Sequence, residues 1–412
     1  MKNIRTILLL FIIASCGKKA EIPDYGVPKD MDVESLSISF ESARNGLLYS
    51  NLYSEVSYIP LETSDQSIIG EISKLEIANN GDLIIFDMPM QSIVRFDSNG
   101  KFICRIGKQG NGHGEYGMPI DMVYDKNTDN VVVLDTSSGK LLWYDLDGTL
   151  LSVTVLGYSP SVFAVLDDNH LCLYMNHYDN TALRPIGHNL KIIDKKGNLL
   201  SEVMEYDTTM ESFHPACENV FFTFGTEICF KQPFSSLVYS IEGAHLSPPT
   251  VRPKLYVDFG KSKIPEEWYR GDFMELLNAL SETKDITYLM SVYKTKNHIL
   301  FNVAKNRRVC MYVKDTRDCK LDRYGFNAEN DMFGFVSSIS LCTLKDNRCY
   351  FITDPSEYGF YRQNLSKEGA QFYTVDVNGN SKEYIPSQEE KDFLSSVRDG
   401  DNPIIQVCTL KD

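Results

Sequence analysis

Residues 107–119 read GKQGNGHGEYGMP, and the chain continues through VVVLD at 131–135 to LWYDLDG at 142–148. An apolar run of this length is too short for a helix. It is followed by a polar break, an aromatic-bearing apolar run and an Asp-x-x-Gly turn, which together read as strand, tight turn, strand. The unit recurs. Polar turns stand at 79–81, 127–129, 167–169, 225–227, 295–297 and 345–347, and the strands after them begin near Leu83, Val131, Leu171, Ile228, Ile299 and Cys349. The next strand of each unit is marked by Phe96, Tyr144, Ile193, Tyr239, Met311 and Tyr361. Six strand-turn-strand units without intervening helices imply antiparallel meanders, and repeats of about 40–50 residues mark arrays and propellers. The expected fold class is all-β, a six-bladed β-propeller over 51–412, in which radial closure protects the sheet edges.

The longest step, from Ile228 to Ile299, holds Pro265, Glu266 and Glu267 ahead of Met274, Leu276, Leu277 and Leu280. Proline at a helix start, acids in the first turn and apolar residues at helical spacing predict a small helical insertion at about 264–282, between blades four and five. A second helix is expected at 387–397. Strands near Val56–Leu61 and Ile404–Leu410 are expected to close the ring.

Composition agrees. Of 412 residues 43% are hydrophobic and 24% charged, and 45 are Tyr or Phe, which favours strands and excludes disorder and coiled-coil rods. Met1–Cys16 has a basic start, the apolar run Ile7–Ile13 and a small-residue zone, which reads as a signal peptide over 1–15. The ending Ile13-Ala14-Ser15-Cys16-Gly17 resembles a bacterial lipobox. That resemblance implies lipidation at Cys16, an anchor and tether over 16–50, and a place in the envelope of a Gram-negative bacterium. The anchor would be the only contact with the membrane, at the outer membrane. Lys18 and Lys19, without an acidic run, point to the periplasmic side.

Without residues 1–15 the chain keeps 39 basic and 56 acidic residues, a formal charge of −17. Such a chain repels phosphate backbones, so no nucleic-acid partner is expected. Nine cysteines remain beyond Cys16. Several lie in apolar runs as small buried thiols, and the spacing leaves hairpin bridges Cys310–Cys319 and Cys342–Cys349 open.

The 107–148 stretch, with its Gly-rich loop, aromatic, proline, strand, Asp, second strand and Asp-Gly turn, resembles an NHL repeat. Together with Val56–Thr63, Ile68–Ile72 and Asp401–Ile405, the chain is similar to the six-bladed β-propeller lipoproteins of Bacteroidetes. The motif is clear in the first two units, and the remaining four rest on spacing. The resemblance implies architecture and address more than activity.

Gly112–Gly117 matches G-x-G-x-x-G, yet Met118–Val123 alternates like a strand where a phosphate-binding turn must open a helix, so no nucleotide cofactor is expected. The Asp145–Gly148 stretch lacks the glutamate of a calcium loop and reads as a hairpin turn. No zincin, CxxC or nucleophile-elbow motif occurs, and seven histidines are scattered, so no metal set and no catalytic residue is identified. Ligands from separate blades could still gather a divalent metal in the channel. Asp87 and Asp135 end equivalent strands, either capping the next turn or ringing the channel mouth.

The third unit is out of step by a long loop containing His177, Tyr178, Asp179, Arg184 and His188. In a propeller it would join His113, Glu115, Asp87, Asp135, Gln232, Arg307 and Asp354 on one face, where loops on a rigid scaffold carry function. Those residues are the candidate site. The expected role is a binding module for a glycan, a peptide or an envelope protein, with Tyr178 stacking and Arg184 and Arg307 pairing charge. The alternative is a metal-dependent hydrolase or lyase at the channel mouth.

Overall fold

The turns reverse the chain by one repeated device. Asp97 Oδ1 accepts the amides of Asn99 and Lys101 (2.8 and 2.9 Å), Asp145 Oδ1 those of Asp147 and Thr149 (3.0 and 2.7 Å), and Asp194 Oδ1 those of Lys196 and Asn198 (2.9 and 2.8 Å). The corner residue in each case is a glycine in the left-handed region: Gly100, Gly148 and Gly197, at φ +83°, +84° and +88°. The glycines serve a second purpose. A Cβ would lie 2.3 Å from Pro60 O at Gly100, 2.7 Å from Arg105 O at Gly148 and 2.4 Å from Val155 O at Gly197. Each corner therefore presses on the outermost strand of the preceding sheet.

The computed structural model describes residues 33–38, 46–178, 186–207, 214–215, 219–225, 227–242, 249–270, 272–305, 308–318, 321–324, 328–335, 341–365, 367 and 369–411. Among these the chain is all-β and propeller-like. Sheet one comprises Lys74–Ile77, Leu83–Asp87, Ser92–Phe96 and Phe102–Arg105, and sheet two Pro119–Asp125, Asn130–Asp135, Lys140–Tyr144 and Leu150–Val155. Sheet three is Val162–Val165, His170–Tyr174, Ile186–Asp194 and Leu199–Asp207. Sheet four (Phe221–Phe224, Glu227–Phe230, Leu237–Glu242, Thr250–Asp258) and sheet five (Thr287–Lys294, His298–Lys305, Arg308–Asp315, Leu321–Tyr324) are continuous through one residue pair, Phe224 with Lys294. Glu34–Ser37 adds a parallel edge strand on Thr250–Asp258. Sheet six is composite. Its first two strands, Thr343–Lys345 and Arg348–Thr353, pair in sequence, its third is Ile404–Leu410, and its outermost is Tyr53–Pro60 from the start of the described chain.

The sheets are buried on both faces, which explains why their second strands are continuous apolar runs rather than alternating ones. Val131 and Val133 enter an apolar core shared by sheets one and two, while Val132 and Leu134, pointing the other way, enter the core between sheets two and three. Further cores join sheets three and four, four and five, and five and six. A sixth core joins sheet six back to sheet one, bringing Tyr350, Ile405 and Val407 against Leu75, Leu83 and Ile85.

The expected sixth unit is corrected in one respect. Tyr361 lies not on a strand but in the helix Gly359–Leu365, and the next strand of this sheet, the one that pairs with Arg348–Thr353, comes only at Ile404. Between them an excursion carries Pro355–Tyr358, Gly359–Leu365, the hairpin Phe372–Val375 with Ser381–Tyr384, and the helix Gln388–Ser396, whose Ser387–Glu390 capping box starts it one residue into the expected span. The excursion docks on Tyr58 through Phe393 (5.1 Å between centroids) and Tyr358 (6.3 Å), beside Phe333 of the preceding segment (4.7 Å). Between sheets four and five, Pro265 precedes the short 3-10 turn Glu266–Arg270. The α-helix itself is Phe273–Glu282, capped by Asp272 through Met274 N (2.7 Å). Cys342 and Cys349 are free thiols, so that hairpin bridge is absent; the Cys310–Cys319 alternative falls on Cys319, outside the described residues.

Candidate functional site

Second strands end, third strands begin, and the links between sheets run at one end of the assembly, so the described nominated positions Asp87, His113, Glu115, Asp135, His177, Tyr178, Gln232 and Asp354 belong to one face, here termed the mouth. Cys16, Asp179, Arg184 and Arg307 lie outside the described residues.

The 107–119 loop sits on this face and is folded around two of its own side chains. Tyr116 is buried, donates to Ile106 O (3.3 Å) and meets Tyr144 edge-on. Glu115 turns back into the loop, accepting Gly112 N (2.7 Å) and pairing with Lys108 (2.8 Å). The Lys108 ammonium and the Gly112 amide hold that carboxyl below its ordinary range. A Cβ on Gly110 would lie 2.0 Å from the Glu115 carboxylate, so the glycines make room for it. His113 is exposed at the tip.

Asp87 and Asp135 clamp neighbouring loops. Asp87 is fully buried and accepts Gly70 N (2.6 Å), Glu71 N (3.3 Å) and Met90 N (3.0 Å). Asp135 accepts the amides of Gly117 (3.1 Å), Met118 (2.9 Å) and Ser137 (3.1 Å) and the hydroxyls of Ser137 (2.8 Å) and Ser138 (2.7 Å). Burial raises the Asp135 proton affinity, but these donors outweigh it and hold the carboxyl below its ordinary value. Three donors enclose the buried Asp87 and five the buried Asp135, so neither is an open carboxylate at the mouth. Asp354 caps the turn after it, accepting Ser356 N (2.8 Å) in a capping box with Glu357.

His177 and Gln232 are fully buried. His177 N donates to Asn189 Oδ1 (2.6 Å) and its ring meets Tyr206 edge-on at 5.0 Å. Lys231 directly follows the second strand of sheet four, near the position Asp87 takes in sheet one. It is 1% exposed, donates to Gln232 O (3.0 Å), and burial alone pulls its amine down to about 7. Tyr178 is 54% exposed and lies 6.0 Å from the His214 ring. Of the nominated set, the structure thus leaves His113, Tyr178 and Asp354 facing solvent.

Two features escaped the sequence reading. The first is apolar: Ile68, Met88, Met90 and Met118 are each more than two-fifths exposed, and all lie on mouth loops of sheets one and two. Met90 packs over Gly70, and Gln109 donates to Gln91, tying these loops into one surface. The signal was in Asp87-Met88-Pro89-Met90, a turn with apolar residues where polar ones are the rule.

The second is a charged cluster on the innermost strands. Lys74 Nζ donates to Asp121 Oδ1 across the boundary of sheets one and two (2.9 Å), Glu76 lies 4.0 Å from Lys74, and Lys345 reaches over from sheet six to the carbonyls of Ile77 (3.2 Å) and Ala78. Asp121 Oδ2 in turn accepts Phe163 N of sheet three (3.1 Å). Burial disfavours the Lys74 charge, but Asp121 and Glu76 outweigh it and raise the amine above its ordinary value. Burial pushes the Glu76 carboxyl up to about 7, with Lys74 drawing it back and Asp121 adding to the rise. Among the described residues no group of three or more His, Cys, Asp or Glu side chains could hold a metal ion.

Comparison with known proteins follows the same lines. A candidate exported protein of Bacteroides fragilis NCTC 9343 superposes with a TM-score of 0.70 at 18% identity, covering 92% of this chain and all of that one, which shows a shared fold. A DUF4221-family protein of Bacteroides vulgatus (TM-score 0.46, 11% identity, covering 87% of this chain and 97% of that one) is a weaker match. So is virginiamycin B lyase of Staphylococcus aureus (0.38, 10%, covering 86% and 99%). No functionally curated protein matches the chain. The family model for DUF4934, a domain of unknown function, matches residues 35–409, and the chain belongs to that family.

Proposed function

We propose that this chain is an exported, lipid-anchored six-bladed propeller of the cell envelope that binds a partner protein or peptide on its mouth face. The observation that carries the binding reading is the surface of Ile68, Met88, Met90 and Met118, with Tyr178 exposed on the same face. Methionines are polarisable and adapt to a partner's shape, and exposed apolar side chains grouped on loops of a rigid scaffold favour association. The six-bladed reading is supported by the sixth apolar core, since six sheets in an open row would share only five. Capture from envelope extract should yield a partner that a Met88→Ser/Met90→Ser/Met118→Ser variant loses while keeping its thermal midpoint; identical captures would count against the reading. Export with lipidation rests on Met1–Cys16, and Cys16→Ala should release the protein from the membrane fraction.

One observation favours an enzymatic second reading: Glu76, raised to about 7, stands near Asp121 and between Lys74 and Lys345, a setting in which a carboxyl can give and take a proton at neutral pH. Stoichiometric zinc or calcium in the purified protein, with loss of a hydrolytic or lyase activity in Glu76→Gln, would move this reading ahead of the first.

A further inference from the structure

The closing sheet holds two cysteines that the fold, and not their spacing, brings together. Cys349 on the second strand of sheet six stands directly opposite Cys408 on the third, with 350–407 between them in the chain. Both are fully buried, and both enter the core between sheets five and six beside Phe351 and Leu410, which lie two residues along each strand on the same face. Among the described residues no other strand pairing sets two cysteines opposite each other.

The ladder fixes their geometry. Leu410 N donates to Asn347 O (2.8 Å), so those two residues form a hydrogen-bonded pair, and alternation makes Cys349 and Cys408, two positions further on, another. Opposite Cα atoms in such a pair lie about 5.5 Å apart, within the roughly 4.4–6.8 Å that a disulfide spans. Their Cβ atoms, at about 5.5 Å, stand wider than the roughly 3.8 Å of a relaxed bridge, so a bond here must draw the two strands together. Burial pushes both thiols above their ordinary value, and the neighbouring Cys349 adds to the rise at Cys408. The thiolate, which is the attacking species, is therefore scarce while the core is closed.

We propose that Cys349 and Cys408 are a reversible disulfide site, oxidised by an external disulfide, that latches the ring where it closes. One thiolate attacks the donor disulfide and releases one donor thiol. The second cysteine thiolate then attacks the mixed disulfide, forming the Cys349–Cys408 bond and releasing the other donor thiol. Two electrons and two protons thus pass from the two cysteines to the donor, and reduction is the reverse. The consequence follows from connectivity: Ile404–Leu410 pairs on one side with Arg348–Thr353 and on the other with Tyr53–Pro60, so the bridge fastens the strand that holds the outermost one. It also closes a loop of about 60 residues, which removes much freedom from the unfolded chain. The strain of drawing the strands together makes the bond easier to reduce than an unstrained structural disulfide. Because the core shields both sulfurs, exchange takes place before sheet six packs or when it opens. Export, proposed above, would supply such a donor in the cell, and the test below supplies its own.

Oxidised and reduced glutathione are the probe. The full chain, denatured and fully reduced, is refolded in a mixture of the two, its remaining thiols are blocked, and it is digested with trypsin. Peptides 349–362 and 399–411 should appear joined, and dithiothreitol should separate them. The oxidised chain should unfold about 2–5 °C above the reduced one. That difference should vanish in Cys408→Ala and persist in Cys172→Ala, whose thiol is equally buried but stands opposite Ala164 and Ile192. A glutathione buffer too weakly reducing to open an unstrained structural disulfide should open this one. Finding the two peptides unlinked in the wild-type chain would overturn the site, whether or not Cys408→Ala folds. A bridge that resists glutathione, or one that leaves the thermal midpoint unchanged, would overturn its part as a reversible latch. None of these outcomes depends on what occupies the apolar mouth surface.

Discussion

Gly148 shows how much of this architecture rests on single backbone positions. It combines a left-handed φ of +84° with a would-be Cβ 2.7 Å from Arg105 O. Alanine there costs conformational strain and pushes two sheets apart, so Gly148→Ala should lower stability by about 2–4 kcal/mol, read as a reduced urea midpoint at unchanged slope. Gly157, with nothing within 4 Å of its would-be Cβ and no left-handed φ, should tolerate alanine with little change. Asp135 supplies the matching test of charge. Its folded pKa is depressed, so its contribution is present above the unfolded value of about 3.9 and is lost as pH falls through the lower folded one. Asp135→Asn should be less stable than wild type at pH 7 by about 1–3 kcal/mol and show a shallower decline below pH 4. The sequence placed Asp87 and Asp135 at equivalent strand ends and left two roles open, because the donors that decide between them, Gly70 and Glu71 or Gly117 and Met118, come from loops that only the fold brings near.

Among the elements, the first five sheets were legible because each carries its own instructions: a polar first turn, an apolar second strand and, in the first three, an Asp-x-x-Gly corner. Sheet six was legible only in part. Its second strand and closing strands stood out, but the excursion between strands two and three supplied Tyr361 at the expected distance, and spacing alone took it for a strand. Asp354-Pro355-Ser356-Glu357, a capping box with proline at the first position, was the local sign of a helical turn. The excursion should be the least independent element, since its rings dock on Tyr58, Phe333 and Phe335 outside it. Tyr58 contacts three rings and its hydroxyl accepts from Asn330 (2.9 Å) and Gln406 (3.1 Å). Tyr58→Ala should cost about 3–5 kcal/mol and open 354–403 to limited proteolysis while sheets one to three stay protected.

At the scale of the whole molecule, charge at the centre sets a pH dependence opposite to that of Asp135. The Glu76 carboxyl is raised to about 7, so the fold favours its protonated form. That contribution is fully present below the unfolded value of about 4.3 and is lost as pH rises through 7. Glu76→Gln should therefore gain stability over wild type by about 1–3 kcal/mol at pH 8.5 and lose that advantage at pH 4, measured by denaturant midpoints across pH. No local pattern announced this cluster, because Lys74, Glu76, Asp121 and Lys345 come from three sheets.

Among the described residues the Tyr53–Pro60 strand hydrogen-bonds to Ile404–Leu410 and to no other strand, so its pairing waits until that distant segment has been made. A chain made from its amino end must carry this ribbon unpaired until Ile404–Leu410 follows, with its backbone groups offered to any neighbour. A circular permutant that joins the two ends and opens the chain at the 126–129 turn would make that strand soon after its partner, so the pair forms locally, and it should refold faster with less aggregation.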